Sequence, residues 1–298
     1  GGTIASEVTE SGLAPELTTG DLLAHIPAIS GICVVECVQL LNLDSTNITP
    51  RHWLLMARCI REHYGEYDGF VLTHGTDTMA YTAAALSYLI QQSPKPIVLT
   101  GAQKPIGFDG TDSKINLTDA FRCASEDMPG VSIVFNSRVI LGTRARKTYS
   151  KSFGAFSSIN YPVLGVVQEG RLIPYLRPAP EGTVKFYQEL DEKVSLLKLI
   201  PGVSSAQLAF LLRESDAVII ESYGVGGVPA GDQGEFYPVI RSAVDGGKIV
   251  VVTTQVQNEG SDLSVYNVGH RLKSDLGVLE SYDMTTEAVV AKLMWALG

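Results

Sequence analysis

The chain has 298 residues, 45% of them hydrophobic, enough to bury one large core or two of medium size. A formal net charge of −9 with no Lys/Arg-rich block argues against a nucleic-acid or anionic-membrane surface, and no apolar run approaches the roughly 20 residues needed to cross a bilayer. Cys33, Cys37, Cys59 and Cys123 lack C-x-x-C spacing, so reduced thiols in a cytoplasmic protein are expected rather than disulfides.

In chain order, Gly1-Gly2-Thr3-Ile4-Ala5-Ser6 is a small-residue turn carrying a hydroxyl, which a strand is expected to precede. Glu7 to Pro15 has the Gly/Pro character of a mobile lid. The apolar run Ile32 to Leu41 predicts a strand enclosing Cys33 and Cys37, with Asp44-Ser45-Thr46 at its end. Thr49-Pro50 starts a helix whose Trp53, Met56, Ala57 and Ile60 share one core-facing side. Gly69-Phe70-Val71-Leu72 predicts the next strand, followed by Thr73-His74-Gly75-Thr76-Asp77-Thr78 and a helix-patterned run, Met79 to Ile90. Thr76 and Asp77 therefore fall on a strand-to-helix turn, where backbone amides and short polar side chains converge on a ligand. The same pair also reads as an ordinary helix cap.

A strand at Pro96 to Thr100, a helix at Asp112 to Met128 and a strand at Val131 to Asn136 come next. Arg144-Ala145-Arg146-Lys147-Thr148 is a basic cluster of the kind that solvated loops carry. Between Gly154 and Lys193, frequent Gly, Pro, Ser and Asn predict a hairpin and then a connector. Alternation resumes with Ser195 to Ile200, Ser204 to Arg213, Ala217 to Ser222, Gly234 to Val244, Lys248 to Thr254 and Thr285 to Leu297, where a further C-terminal piece is expected to follow. The pattern predicts an α/β fold: a larger N-terminal domain with a mostly parallel sheet over 1–175, a connector over 176–194, and a smaller C-terminal α/β domain over 195–298.

Several chemistries are disfavoured by spacing. His25, His52, His63, His74 and His270 are scattered, with no H-E-x-x-H or H-x-x-x-H pattern to hold a metal. There is no G-x-S-x-G elbow and no phosphate-binding G-x-x-x-x-G-K-[ST], and Gly224-Val225-Gly226-Gly227 lacks the dinucleotide spacing. Threonine chemistry remains. A threonine hydroxyl needs a neighbour to take its proton and amide donors to hold the oxyanion that forms on attack. Thr3 and Thr76 each sit on a turn suited to the second requirement, and a desolvated lysine from the 144–148 cluster is a candidate for the first.

Three stretches, Gly1 to Ser6, Asp68 to Thr82 and Lys95 to Gln103, closely resemble the bacterial-type L-asparaginases. Phe153-Gly154-Ala155-Phe156, Ser222-Tyr223-Gly224-Val225-Gly226 and Asp283 to Ala288 extend the resemblance, toward the cytoplasmic type I branch in particular. It covers essentially the whole chain, and the two threonine motifs in this order and separation are highly specific together. The resemblance implies hydrolysis of L-asparagine to L-aspartate and ammonia through a covalent acyl-enzyme, with no metal or organic cofactor. It implies a homodimer or homotetramer with sites near subunit interfaces. On matching positions, Thr3 would be the nucleophile; Thr76, Lys147 and Asp77 would form a second constellation, with Asp77 receiving the substrate ammonium. Ser45 and Thr46 would bind the α-carboxylate, and Ala102 would offer backbone contacts near the scissile amide. His74 is expected to pack or hydrogen-bond at its turn rather than act as the base.

The chain departs from that pattern in places. Leu13 stands where many relatives carry a lid tyrosine, so either Tyr149 or Tyr223 enters the site or Thr3 relies on lysine and water. Glu221 stands where some type I enzymes place an arginine for an allosteric asparagine, which predicts hyperbolic kinetics. Asp232, Glu235 and the loop Gln255 to Asp262 are candidate donors to a neighbouring subunit's site, with plain surface loops as the alternative. Two rivals stand beside the asparaginase reading. An amidase acting on free or transfer-RNA-bound glutamine normally carries an extra N-terminal domain and a partner subunit in its RNA-linked form. A non-catalytic amino-acid sensor has no need for Thr3, Thr76, Asp77 and Lys147 together.

Overall fold

The apolar runs at Phe70–Thr73, Pro96–Thr100 and Gly130–Phe135 lie side by side as parallel strands in the computed structural model, which describes residues 1–9, 12–229 and 236–298, with backbone alone at 8 and 12–15. Pro96–Thr100 is buried throughout and Gly130–Phe135 at every position but its first, as unalternating apolar runs require when helices cover both faces. The sheet continues antiparallel through Arg138–Leu141, Gly165–Gln168 and Arg171–Pro174. Asn136 and Ser137, at φ 50° and 57°, form the two-residue turn that joins Gly130–Phe135 to Arg138–Leu141. That double positive φ matches the right-handed strand twist, and asparagine tolerates it better than most residues. The hairpin predicted between Gly154 and Lys193 is found at 165–174 and turns through Glu169 and Gly170, also both at positive φ.

Helices return the chain between the parallel strands. Pro50–His63 places proline at its first turn and buries Trp53, Met56, Ala57 and Ile60 along one side, as its spacing predicts. Met79–Leu89 is rich in alanine and mostly buried, because small side chains let it approach the sheet and the 50–63 helix closely. Ser113–Ala124 packs against Pro96–Thr100 and Gly130–Phe135. These elements belong to one of two compact units, Gly1–Glu189; the other is Leu190–Gly298. In the second unit, Val194–Lys198, Ala217–Ser222, Ile249–Thr254 and Leu279–Glu280 form a fully parallel sheet in that order. Its core gathers Leu208, Val218, Ile220, Ile240, Val250, Val252 and Leu272.

Ile32 to Leu41 is not a strand. The run has no ladder partners among the described residues; Val34 and Val38 are 96% and 54% exposed, while Cys33 and Val35 pack against a core cluster. Strand propensity expresses the fit of branched side chains to a pleated, half-buried surface, and no neighbouring strand supplies one to this run among the described residues. The basic cluster corrects in the opposite direction: Ala145–Lys147 is a strand, paired with Phe156–Ser158. The helix Asn267–Ser274 is not evident from the sequence, because its high polarity hides the pattern. All four cysteines are free thiols.

Candidate active site

Two strand ends and the chain's opening turn meet in the first unit, and glycine makes the meeting possible. Gly2, at φ 73°, lies so close to Gly75 that a Cβ on Gly2 would stand 2.3 Å from the Gly75 Cα. A Cβ on Gly75 would stand 2.5 Å from Ser45 Oγ, and one on Gly101 2.2 Å from the His74 carbonyl oxygen. Four segments distant in sequence are therefore in backbone or near-backbone contact at the carboxyl ends of Phe70–Thr73 and Pro96–Thr100, the end of a parallel sheet where ligands bind. Thr3 and Thr76 each follow the touching glycines by one residue. The contacts are reinforced by hydrogen bonds from His74 N–H to Thr100 O at 2.8 Å and from Thr78 Oγ1 to Ser45 O at 2.7 Å.

Lys147 reaches this point from the Ala145–Lys147 strand. Opposite it on the partner strand, Phe156 is buried against Phe135 with ring centroids 5.0 Å apart, which fixes the strand from which the lysine projects. Lys147 Nζ donates to Thr76 Oγ1 and to Asp77 Oδ1, each at 2.7 Å. The Asp77 side chain is 59% exposed, so this pair adds little to stability. Its value is directional: it aims the ammonium, itself largely covered, at the threonine oxygen.

The other residues singled out in the sequence sit around this group in different states. Ser45 is buried against Gly75. Thr46 is exposed, and both its N–H and its hydroxyl donate to Asp44 Oδ1, at 2.8 and 2.7 Å. Those bonds lower the Asp44 carboxyl below its usual range and leave the Thr46 oxygen only as an acceptor in this arrangement. Ala102 is fully buried in a cluster with Ile4, Ala5 and Ile106, beside the turn that carries Thr3. Tyr149 is exposed two residues past Lys147, whereas Tyr223 belongs to the second unit, with its hydroxyl buried and without a hydrogen-bond partner among the described residues. The Leu13 side chain, Asp232 and Glu235 lie outside the described residues. Gln255 and Asp262 are used locally: the Gln255 amide donates to Leu199 O and Glu221 O, and Asp262 accepts from Ser264.

His74 is 4% exposed, and burial pushes its imidazole down to about 4. A neutral ring explains the bonding around it. Trp53 Nε1–H donates to Thr82 Oγ1 at 3.0 Å, the Thr82 hydroxyl donates to His74 Nε2 at 2.9 Å, and His74 Nδ1–H donates to Gly75 O at 2.7 Å. Each donor has one acceptor only if the proton is on Nδ1. With both nitrogens committed, His74 serves as a brace for the turn. A ring held neutral when folded but protonated near pH 6.5 when unfolded makes the unfolded state bind more protons, so stability falls as pH drops from about 6.5 to about 4. The loss is on the order of 3 kcal/mol across that window. Urea unfolding at pH 7 and pH 4.5 should register it, and in His74→Gln the difference between the two pH values should shrink by most of that amount.

A layer that sequence reasoning passed over supports the group. Asp112 is 5% exposed and accepts from Gln103 N–H and Lys104 N–H, while Asn116 Nδ2 donates both to Asp112 and to Gly101 O. Gln103 in turn contacts Thr76. The available signal was a long amide directly after Gly-Ala at the end of a buried strand. Among the described residues there is no group of three or more His, Cys, Asp or Glu side chains arranged to hold a metal ion, and no helix is long and apolar enough to cross a membrane.

Residues 1–179 match the family described as Asparaginase, N-terminal, and residues 193–298 the Glutaminase/Asparaginase C-terminal domain. The chain is 41% identical over 301 residues to the L-asparaginase of Thermococcus kodakarensis, covering all of this chain and 90% of that one. A solved structure of the thermostable L-asparaginase from that organism superposes with a TM-score of 0.93 at 40% identity, over all of this chain and 90% of that one. Identity to L-asparaginase 1 of Escherichia coli K12 is 35%, with 100% and 90% coverage. Identity to a glutamyl-tRNA(Gln) amidotransferase component of Pyrococcus furiosus is also 35%, with 100% and 70% coverage.

Proposed function

We propose, for a chain that belongs to the asparaginase family along both of its units, that it is an amidohydrolase converting L-asparagine to L-aspartate and ammonia. The observation that carries this reading is the contact of the Thr3 turn with the Thr76-Asp77 turn, together with Lys147 donating to both Thr76 and Asp77. Thr3 Oγ attacks the side-chain amide carbon of asparagine; the carbon–nitrogen bond breaks, and the nitrogen leaves as ammonia with the proton that Thr3 has lost. Water then attacks the resulting ester, returning a proton to Thr3 and releasing aspartate. Lys147 and Thr76 handle the protons in transit, so that neither threonine must ionise unaided. Asp77 receives the substrate ammonium, and its exposure leaves it reachable from solvent. Ser45 and Thr46 hold the α-carboxylate, which requires the Thr46 hydroxyl to turn away from Asp44. Ala102 contributes backbone contacts at the scissile amide.

The enzyme is taken to be cytoplasmic and to work as a homodimer or homotetramer with sites near subunit interfaces, its domains running over 1–175 and 195–298 about a connector at 176–194. Buried Glu221 accepts from Lys198 Nζ and Thr286 Oγ1, both at 3.0 Å, so its carboxylate is already engaged and cannot grip a second amino acid's carboxylate. Ammonia release should therefore be hyperbolic in L-asparagine, with a Hill coefficient of about one. Parallel assays with L-glutamine and D-asparagine test the substrate. Release from glutamine alone would move the reading to the glutamine branch of the family, and no release from any of the three would end the hydrolase reading.

A further inference from the structure

Among the described residues Thr76 Oγ1 makes two hydrogen bonds, and the partners' roles are fixed by what each can donate. Lys147 Nζ donates to the oxygen at 2.7 Å, so the threonine's own proton must point elsewhere; Gln103 Oε1, at 3.3 Å, accepts it. The orientation of that amide follows from its other end. Gln103 Nε2 donates to Ser150 O at 3.2 Å and Ser152 O at 3.1 Å, using both of its hydrogens on the loop that follows Lys147. Turning the amide over would set its oxygen against two carbonyl oxygens, so Oε1 is held toward Thr76. The Gln103 backbone is itself clamped, through its N–H, by the Asp112 carboxylate at 3.0 and 3.1 Å.

We infer that Gln103 is a positioning residue that sets the direction of the Thr76 hydroxyl proton and thereby biases how Thr76 and Lys147 share a proton. The inference rests on the proton-handling roles proposed above for Thr76 and Lys147. In the arrangement described, Lys147 carries the proton, Thr76 accepts from it, and the Thr76 hydroxyl rests on Gln103. For Thr76 to pass its proton to Lys147, the lysine must first release one to solvent and the hydroxyl must swing from Gln103 to Nζ. An acceptor at Gln103 pulls on the Thr76 O–H, makes the oxygen a better acceptor for Lys147, and so favours the resting arrangement. The titratable groups on the elements packed around the pair are Asp77 and His74 on the Thr76 turn, Asp112 and Lys104 at the Gln103 turn, and Arg146 and Lys151 flanking Lys147. The substitutions below leave all of them in place.

The test is the pH dependence of kcat/KM for L-asparagine in the full chain carrying Gln103→Met or Gln103→Glu. Methionine accepts almost nothing from Thr76, so the acid limb should move to lower pH; glutamate accepts more strongly, so the limb should move to higher pH, each by about half a unit. Both changes release the Ser150 and Ser152 carbonyls, and the glutamate charge by itself raises the limb, so the methionine profile decides: a role confined to holding the loop would lower that profile without moving it or move it to higher pH. Either of those results overturns the inference. Gln103→Leu replaces Gln103→Met if the latter does not fold. If Thr76→Ala retains turnover, the proposed chemistry fails instead, a result separable from an unmoved or raised limb in Gln103→Met of an enzyme that does depend on Thr76.

Discussion

Thr76→Ala and Thr3→Ala are each expected to lower ammonia release from L-asparagine by at least about a thousandfold while leaving the thermal transition within a few degrees of wild type. The separation of activity from stability is the informative part. Thr76 is 5% exposed, but its hydroxyl bonds to Lys147 and Gln103 at a turn whose geometry is set by other groups: the His74 brace, the Thr78 bond to Ser45, and the glycine contacts. Removing the hydroxyl takes away the hydrogen-bond partner of Lys147, through which the proposed proton transfer runs, and little apolar packing. Thr3 is only partly buried, on a three-residue turn anchored by Ile4 and Ala5, so alanine there keeps the anchors and loses the oxygen proposed to attack the substrate. Steady-state ammonia assays with differential scanning calorimetry on the same preparations decide the matter. Turnover within tenfold of wild type in either variant removes that threonine from the chemistry. The double variant should be hardly worse than the worse single one, because groups that act as a unit are not additive.

Gly2→Ala should disable the site by a different route. Its φ of 73° is a conformation that L-residues rarely adopt, and the added Cβ would stand 2.3 Å from a backbone atom of Gly75, where no flexible side chain can yield. The two turns must separate by something on the scale of an ångström, and with them the spacing of Thr3 and Thr76. Strain and overpacking together are expected to cost about 2 to 4 kcal/mol, a fall of roughly 5 to 10 °C in the transition of a unit this size. Activity should fall about a hundredfold or more, since a misplacement of about 1 Å costs that much in catalysis. Gly20→Ala is the matching control, because its Cβ would meet nothing closer than 3.7 Å. Equal behaviour of Gly2→Ala and Gly20→Ala would show that the contact between the turns is not what holds the site.

The parts of the fold that could be read from the sequence are those whose signals are local. The buried strand at Pro96–Thr100, the capped helix at Pro50–His63 and the hairpin found at 165–174 each carry their pattern within one element: a short apolar run, a Thr-Pro start with one apolar side, turn residues such as Gly170 between short strand-like pieces. Ile32 to Leu41 failed for the complementary reason. Its composition matches a strand, but a strand also needs a partner edge and a surface to cover, and neither lies in the run itself. Arg144 to Thr148 misled in the other direction, since charge masked a strand whose stability comes from Phe156 packing on Phe135.

For the site, the sequence by itself determined the inventory: two threonines on small-residue turns, an acid beside one of them, and a family resemblance that pointed to Lys147. Tertiary structure decided what each group is free to do. Lys147 meets Thr76 across 71 residues of chain, Gln103 joins them from a third segment, and Thr46 is occupied by an aspartate two positions away. Local sequence fixes which donors and acceptors exist and the φ values their turns allow. Which donor meets which acceptor depends on backbones brought within a few ångströms by packing, and here on glycines whose missing Cβ atoms leave that space open.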